Sequence, residues 1–283
     1  MIPGGQGISL YTVVSYFKAA VSSGSLNTRA AAISFKFFLA IFPGIIFLFT
    51  IIPLVPIANF QANLMLMLQE AIPEMLYPLL ENTIEDIVSR RHAGLLSIGF
   101  FLALWFSSSS FISMISSFNQ SINIEETRTP FQQRVVSLLL MIGSTVLVII
   151  AIAIMAIGQD TLDWLTQEGY LSTHNIYRVI QTSRWFLLGT IIYITISGIY
   201  YFAPANNSKF RFFSSGSLIA TLLLMVTAWG FGAFVQYFSA HNAVYGSVGT
   251  LLLTLLYIFY NATILLVGFE LNASIHMAQK RCG

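Results

Sequence analysis

Of 283 residues, 56% are hydrophobic, 14% aromatic and only 8% charged, and the mean hydropathy is +0.78. Soluble globular chains carry about a quarter charged residues, so the composition excludes that class and implies several passes through a bilayer. A net charge of +2 is too small for a nucleic-acid surface, and a single cysteine, Cys282, leaves no intrachain disulfide or cysteine metal site.

Residues 1–7 are glycine-rich and predict no regular element. No basic stretch leads directly into an apolar core and a small-residue cleavage site, so the first span is expected to stay attached. From Ser9 to Val21, Leu10, Val13, Val14, Phe17 and Val21 recur at helical spacing, with Ser15 and Lys18 elsewhere on the wheel. This amphipathic helix, within a segment 1–29, is too short and polar to span. It either lies along the membrane surface or packs beneath a bundle.

The first span is predicted over 30–57, interrupted at Pro43-Gly44, with Pro53 and Pro56 at its outer end. Pro43 cannot donate to the Leu39 carbonyl, and its ring pushes that turn open, so a kink is expected. In lipid such a break persists only where neighbours or water satisfy the freed carbonyl. Residues 58–93 hold Glu70, Glu74, Glu81, Glu85, Asp86, Arg90 and Arg91 among apolar residues, cut by Pro73 and Pro78. They read as amphipathic helices outside the bilayer.

Further spans are predicted over 94–118, 135–158, 185–202, 213–237 and 247–270, followed by a tail, 279–283. The domain 30–278 is therefore an all-α bundle of six transmembrane helices. The last run is uncharged from Val248 to Phe269, with the amide of Asn261 near its midpoint and Glu270 at its far end. About twenty such residues cross a hydrocarbon core, and these two polar groups need partner helices.

An even number of spans puts both ends of the chain on one side. With that side cytoplasmic, nine of the thirteen basic residues fall inside: Lys18, Arg29, Lys36, Arg128, Arg134, Lys209, Arg211, Lys280 and Arg281. Arg90, Arg91, Arg178 and Arg184 fall outside, so the positive-inside rule favours cytoplasmic termini.

Four groups of polar residues are candidates for function. Ser109, Ser113, Ser116 and Gln120 make one face of the second span, widened by Ser110 and Ser117; with Asn261 they form a candidate polar path. Small hydroxyls on membrane helices also let helices approach closely, which is the alternative reading. Lys36, or failing that Arg29, is expected to pair with Glu270 and tie the first span to the last. Such a pair can be purely structural, and Lys36 could instead snorkel to the interface. In the loop 119–134, Glu125, Glu126, Arg128 and Arg134 form a candidate charge network, and Thr129-Pro130 a helix start. Pro43 and Gly44 are the candidate kink.

Four stretches together resemble the YihY/BrkB family of bacterial inner-membrane proteins, some of which carry a ribonuclease BN label. They are RAAAISFKFFLAIFP from Arg29 to Pro43, EETR from Glu125 to Arg128 with Arg134 beyond, FVQYFSAHNAVYGSVGT from Phe234 to Thr250, and GFELNA from Gly268 to Ala273. Their order and spacing carry the resemblance more than any one piece. Phe37 departs from the family, which often has tyrosine there. The resemblance implies a six-span protein of the bacterial cytoplasmic membrane, linked in one member to virulence and in another to envelope lipid export.

The ribonuclease label does not suit these residues. A metal-dependent nuclease needs clustered carboxylates or histidines, whereas His92, His174, His241 and His276 are scattered singly. No HExxH, P-loop or complete GxGxxG occurs. No cofactor or metal is therefore expected, and the chain is not read as an enzyme. The favoured function is a transporter or flippase for an amphipathic or lipid-like envelope molecule; the alternative is a non-transporting membrane scaffold. The bilayer is the expected partner. Substrate and oligomeric state are not legible in the sequence.

Overall fold

The computed structural model describes residues 10–22, 24–51, 93–121, 125–167, 174–205, 212–241 and 246–282. Its seven helices in chain order are α1 (Leu10–Ser22), α2 (Ser25–Ile51), α3 (Ala93–Ser121), α4 (Pro130–Gln167), α5 (His174–Phe202), α6 (Ser215–His241) and α7 (Gly246–Cys282), with no strand among the described residues. The predicted outer segment 58–93 falls outside the described residues except for Ala93, where α3 begins.

Local chemistry sets several of the helix ends. Gly24, between α1 and α2, has φ of 69°, a left-handed conformation that side chains with a Cβ rarely adopt. At the start of α4 the Thr129 hydroxyl accepts from Gln132 N–H while the Gln132 side chain accepts from Thr129 N–H, with Pro130 between them. That is a reciprocal capping box with proline at the first helical position. α5 stops before Pro204, whose ring disfavours helical conformation at Ala203. At α6 the Ser214 hydroxyl accepts from Ser217 N–H and the Ser217 hydroxyl from Ser214 N–H, closing the first turn in the same reciprocal way.

Among the described residues five helices carry a stretch long and apolar enough to cross a membrane: Ser97–Ser121, Pro130–Ala151, Thr182–Phe202, Ser215–Val235 and Leu251–Gln279. The first predicted span, 30–57, is not among them. Its described part is α2, which runs as one helix through Pro43 with no break in assignment. α7 continues to Cys282, so Glu270 lies within the helix and not at its end as predicted. α6 presents Leu222, Val226 and Trp229 outward, and α7 Leu252, Leu256 and Tyr260. Apolar surface on this scale would associate in water, and in a bilayer it faces acyl chains.

The chain divides into two compact units, 1–35 with 108–283, and 36–107. In the larger unit α7 packs on α6 and α1, α5 on α6, and α4 on α5. α1 therefore packs on the bundle: Val13 is buried against Ala278, with Tyr16, Leu271 and Ile275 around it. α6 and α7 cross at glycines. A Cβ on Gly268 would stand 2.8 Å from the Gly216 carbonyl oxygen and 2.5 Å from the Tyr200 hydroxyl, and a Cβ on Gly216 would run into the Gly268 carbonyl. Small residues at such a crossing let the backbones meet. In the smaller unit, Phe38 and Phe42 meet edge to face one turn apart on α2, with ring centroids 5.3 Å apart.

Candidate functional site

Within the larger unit the polar side chains of five segments converge in one layer. It comprises Arg29 on α2, the last turns of α3, the loop before α4, the end of α5 with the start of α6, and Glu270 to Asn272 on α7. Its apolar centre is a ring cluster. Phe118 stacks on Phe269 with centroids 4.1 Å apart, and Tyr200 meets both edge-on at 5.5 Å. All three rings are buried. The Tyr200 hydroxyl donates to the Leu265 carbonyl at 2.6 Å, so its polar tip is satisfied inside the bundle.

Next to that cluster lies an ion pair. Arg29 Nη2 is 2.6 Å from Glu270 Oε1, with side-chain exposures of 10% and 2%, so both charges are largely out of solvent. Ser121 donates to the same carboxylate oxygen at 2.7 Å, and Arg29 Nη1 donates to the Ser121 hydroxyl at 2.7 Å and the Ser117 carbonyl at 2.9 Å. The group links α2, α3 and α7. Lys36, the first-named sequence candidate for this pair, does not hold that position; it lies in the smaller unit, almost two helical turns further along α2.

A second network surrounds Glu126. Arg128 Nε donates to Glu126 Oε1 at 2.7 Å and Nη2 to Oε2 at 2.9 Å, a two-point contact. Arg128 Nη2 also donates to the Ala203 carbonyl at 2.8 Å. Asn119 donates to Glu126 Oε2 at 2.8 Å and accepts from Ala205 N–H at 3.0 Å. The loop thus pins the end of α3 to the end of α5. Burial pushes the Glu126 carboxyl upward, but the hydrogen bonds and charge of Arg128, with the Asn119 bond, outweigh it and hold the group below the usual carboxylate range. Of the other loop candidates, Glu125 is exposed, while Arg134 donates to Ser108 at 2.6 Å and Ser109 at 3.1 Å.

The serine face predicted on the second span divides between exposed and buried positions. Ser116 and Gln120 are exposed, and the buried hydroxyls are Ser108, Ser110 and Ser117. Ser113 and Ser109 are half-buried; Ser117 donates to the Ser113 carbonyl at 2.8 Å. The reason is aromatic packing. Phe111 and Phe118, seven residues apart, are the largest apolar side chains buried on this stretch, and they select the face that turns inward. Asn261 is half-buried and is not brought to these serines by any hydrogen bond among the described residues.

Several participants have no distinguishing sequence signal. Asn272 accepts from Gly216 N–H at 2.9 Å and donates to Ser214 at 2.8 Å, holding the first turn of α6 against α7. It follows Glu270 by two residues, and its amide chemistry alone does not name its partner. Asn119 and Ser121 look like ordinary helix-end residues. Among the described residues no group of three His, Cys, Asp or Glu side chains could hold a metal ion.

A known family is matched along nearly all of this frame: the description "virulence factor BrkB" fits residues 19–281. The chain belongs to the BrkB family. Among its relatives is YfkH of Bacillus subtilis, named as ribonuclease-like, 24% identical over 270 residues, covering 94% of this chain and 97% of that one. A UPF0761 membrane protein of Idiomarina loihiensis is 26% identical over 95 residues, 34% of each chain. A UPF0761 membrane protein of Xanthomonas oryzae is 30% identical over 83 residues, 29% of this chain and 20% of its own. No solved structure matches. This BrkB-family chain is a multi-pass membrane protein, and the layer just described includes residues from three of the four stretches that carry the resemblance.

Proposed function

We propose that this BrkB-family protein moves an amphipathic or lipid-like envelope molecule across the bacterial cytoplasmic membrane, and that the polar layer is a closed gate at one end of its bundle. The supporting observation is where the polar links fall. Arg29–Glu270, Asn119–Glu126, Arg128–Ala203 and Asn272–Gly216 all join different segments within one layer. A transporter that alternates between two openings needs one end sealed by contacts that can be broken as a set. Salt bridges and amide bonds suit this because their loss is offset by rehydration, whereas a broken jigsaw of rings is not. In this reading Glu270 and Arg29 are gate residues and the loop 125–128 is the latch; the same layer faces the cytoplasm, where the basic loops belong.

The second reading is a scaffold without transport. It is favoured by Ser108, Ser109, Ser117 and Ser121 of α3, whose hydroxyls are spent on Arg29, Arg134, Glu270 and backbone carbonyls, leaving them poor lining for a path. Reconstitution decides between the readings. Purified protein in vesicles bearing a fluorescent lipid in both leaflets is tested for loss of dithionite protection. Transport predicts protein-dependent loss that Glu270→Gln alters. A rate equal to protein-free vesicles supports the scaffold.

A further inference from the structure

α4 and α5 run antiparallel, since they pack together and Arg128, just before α4, bonds the carbonyl of Ala203, just after α5. Between them is a cavity of about 600 Å³, within the range of about 300–1,000 Å³ usual for small-ligand sites. Its walls are chiefly apolar, with Leu139, Leu140, Leu147, Ile194 and Ile199 among the side chains. Two wall residues carry hydroxyls, Ser144 and Thr195, and both donate to their own helices, at Leu140 and Ile191. The interior therefore offers little to a polar solute.

Three observations specify the occupant. First, Arg128 is the only charged residue lining the groove among the described residues, and it lies at the loop end. Its Nε and Nη2 are committed to Glu126 and Ala203, while the two N–H groups of Nη1 have no partner among the described residues. Charged guanidinium donors of this kind suit a phosphate oxygen. Second, the groove follows α4 from Val136 to Leu147. At roughly 1.5 Å per residue this is about 17 Å, close to one leaflet of a hydrocarbon core roughly 30 Å thick. Third, Gly143 on α4 and Gly198 on α5 line it, and a Cβ at either would meet nothing within 4 Å. Both positions therefore face open space.

We infer that the α4–α5 groove is a binding site for one anionic phospholipid, with an acyl chain along Val136–Leu147 and Ile194–Phe202 and its phosphate on Arg128 Nη1. Basic pockets between transmembrane helices on the cytoplasmic side are a recurrent head-group site. A second copy of the chain would fill the groove with a helix, leaving those donors with apolar neighbours. The inference rests on the membrane embedding and not on transport, so the site stands even if reconstituted protein moves nothing.

The test is native mass spectrometry of the full chain in mild detergent, titrated with dioleoylphosphatidylglycerol or dioleoylphosphatidylcholine. One bound phosphatidylglycerol is expected, held about tenfold or more tightly than phosphatidylcholine, the difference of about one charged contact. Gly143→Leu and Gly198→Leu, which extend side chains into the open space, should each weaken retention about tenfold or more while eluting like the wild type. Arg128→Lys should lower the preference for phosphatidylglycerol. Leucine variants with wild-type retention would overturn the site. So would equal retention of the two lipids, or displacement by an equal concentration of glycerol 3-phosphate, which lacks the chain. A dimer that both leucine variants abolish would give the groove to a second copy. Aggregation of both would show that the backbones are not open there, and the inference would fall with them.

Discussion

The Arg29–Glu270 pair decides what single substitutions at the layer cost. With both groups largely buried, removing one leaves the other charge without compensation, which costs about 3–5 kcal/mol. Glu270→Gln keeps shape and volume yet strands Arg29, so the purified variant should lose several degrees of thermal stability. The double variant Arg29→Met, Glu270→Gln removes both charges and should recover much of the loss. A double variant as unstable as the single one would mean that the pair does not carry the effect. Glu126 makes a separate prediction through pH. Its folded pKa is depressed, so its contribution is present above the ordinary carboxylate value of about 4.3 and fades as pH falls through the folded value. Thermal unfolding followed from pH 7 downward should show stability declining below about pH 4.3, and Glu126→Gln should be less stable at pH 7 with a flatter acid limb. Parallel curves for the two proteins would assign the acid response to other carboxylates. The sequence made Glu270 legible as a buried acid, because a charge in so apolar a run needs a partner. It favoured Lys36, on the predicted span 30–57, over Arg29, which ends the segment before it. Deciding between them takes the positions of Ser117 and Ser121, residues that belong to another helix.

At the scale of elements, two glycine pairs look alike in sequence and behave in opposite ways. Gly216 and Gly268 hold α6 against α7 at backbone contact, while Gly143 and Gly198 leave a groove open between α4 and α5. Gly268→Ala should therefore be overpacked by about 1–3 kcal/mol and disturb the Tyr200 hydroxyl beside it. Gly143→Ala should be neutral or stabilising by up to about 1 kcal/mol, since alanine is the better helix former and its methyl meets no atom. Comparing apparent Tm values of the two variants checks the contrast; equal losses would refute it. Helix existence was legible almost throughout, because long apolar runs bounded by proline, serine and glycine leave few alternatives. Helix ends were less so. α4 begins at Pro130, ahead of the predicted span 135–158 and at the Thr129-Pro130 start that the sequence offers, where the Thr129–Gln132 capping box overrides the polar character of the first turn. The serine spacing on α3 marks a stripe without saying whether it or the Phe111–Phe118 stripe turns inward.

For the molecule as a whole the open quantity is parity. Five described helices meet the length and hydropathy needed to cross a bilayer, and α2, carrying Arg29 and Lys36 in its first half and Pro43 beyond them, is the element in question. Counting the described helices alone, the two ends of the chain share a side if α2 crosses and lie on opposite sides if it does not. Cys282 makes this measurable, because it is the sole cysteine and lies next to the C-terminal end. In inverted membrane vesicles, whose outer face is the cytoplasmic one, a membrane-impermeant maleimide should label Cys282 directly. In right-side-out vesicles it should label only after permeabilisation. A Gly5→Cys, Cys282→Ser protein should give the same pattern, since the proposed arrangement has six crossings. It also has the basic loops, and with them the gate formed by Glu126, Arg128, Arg29 and Glu270, on the cytoplasmic side. Opposite patterns for the two positions would remove α2 from the membrane and leave Arg29 reaching Glu270 from outside it. Labelling of both only from the far side would invert the gate, and the transport reading would then have to release its cargo toward the cytoplasm.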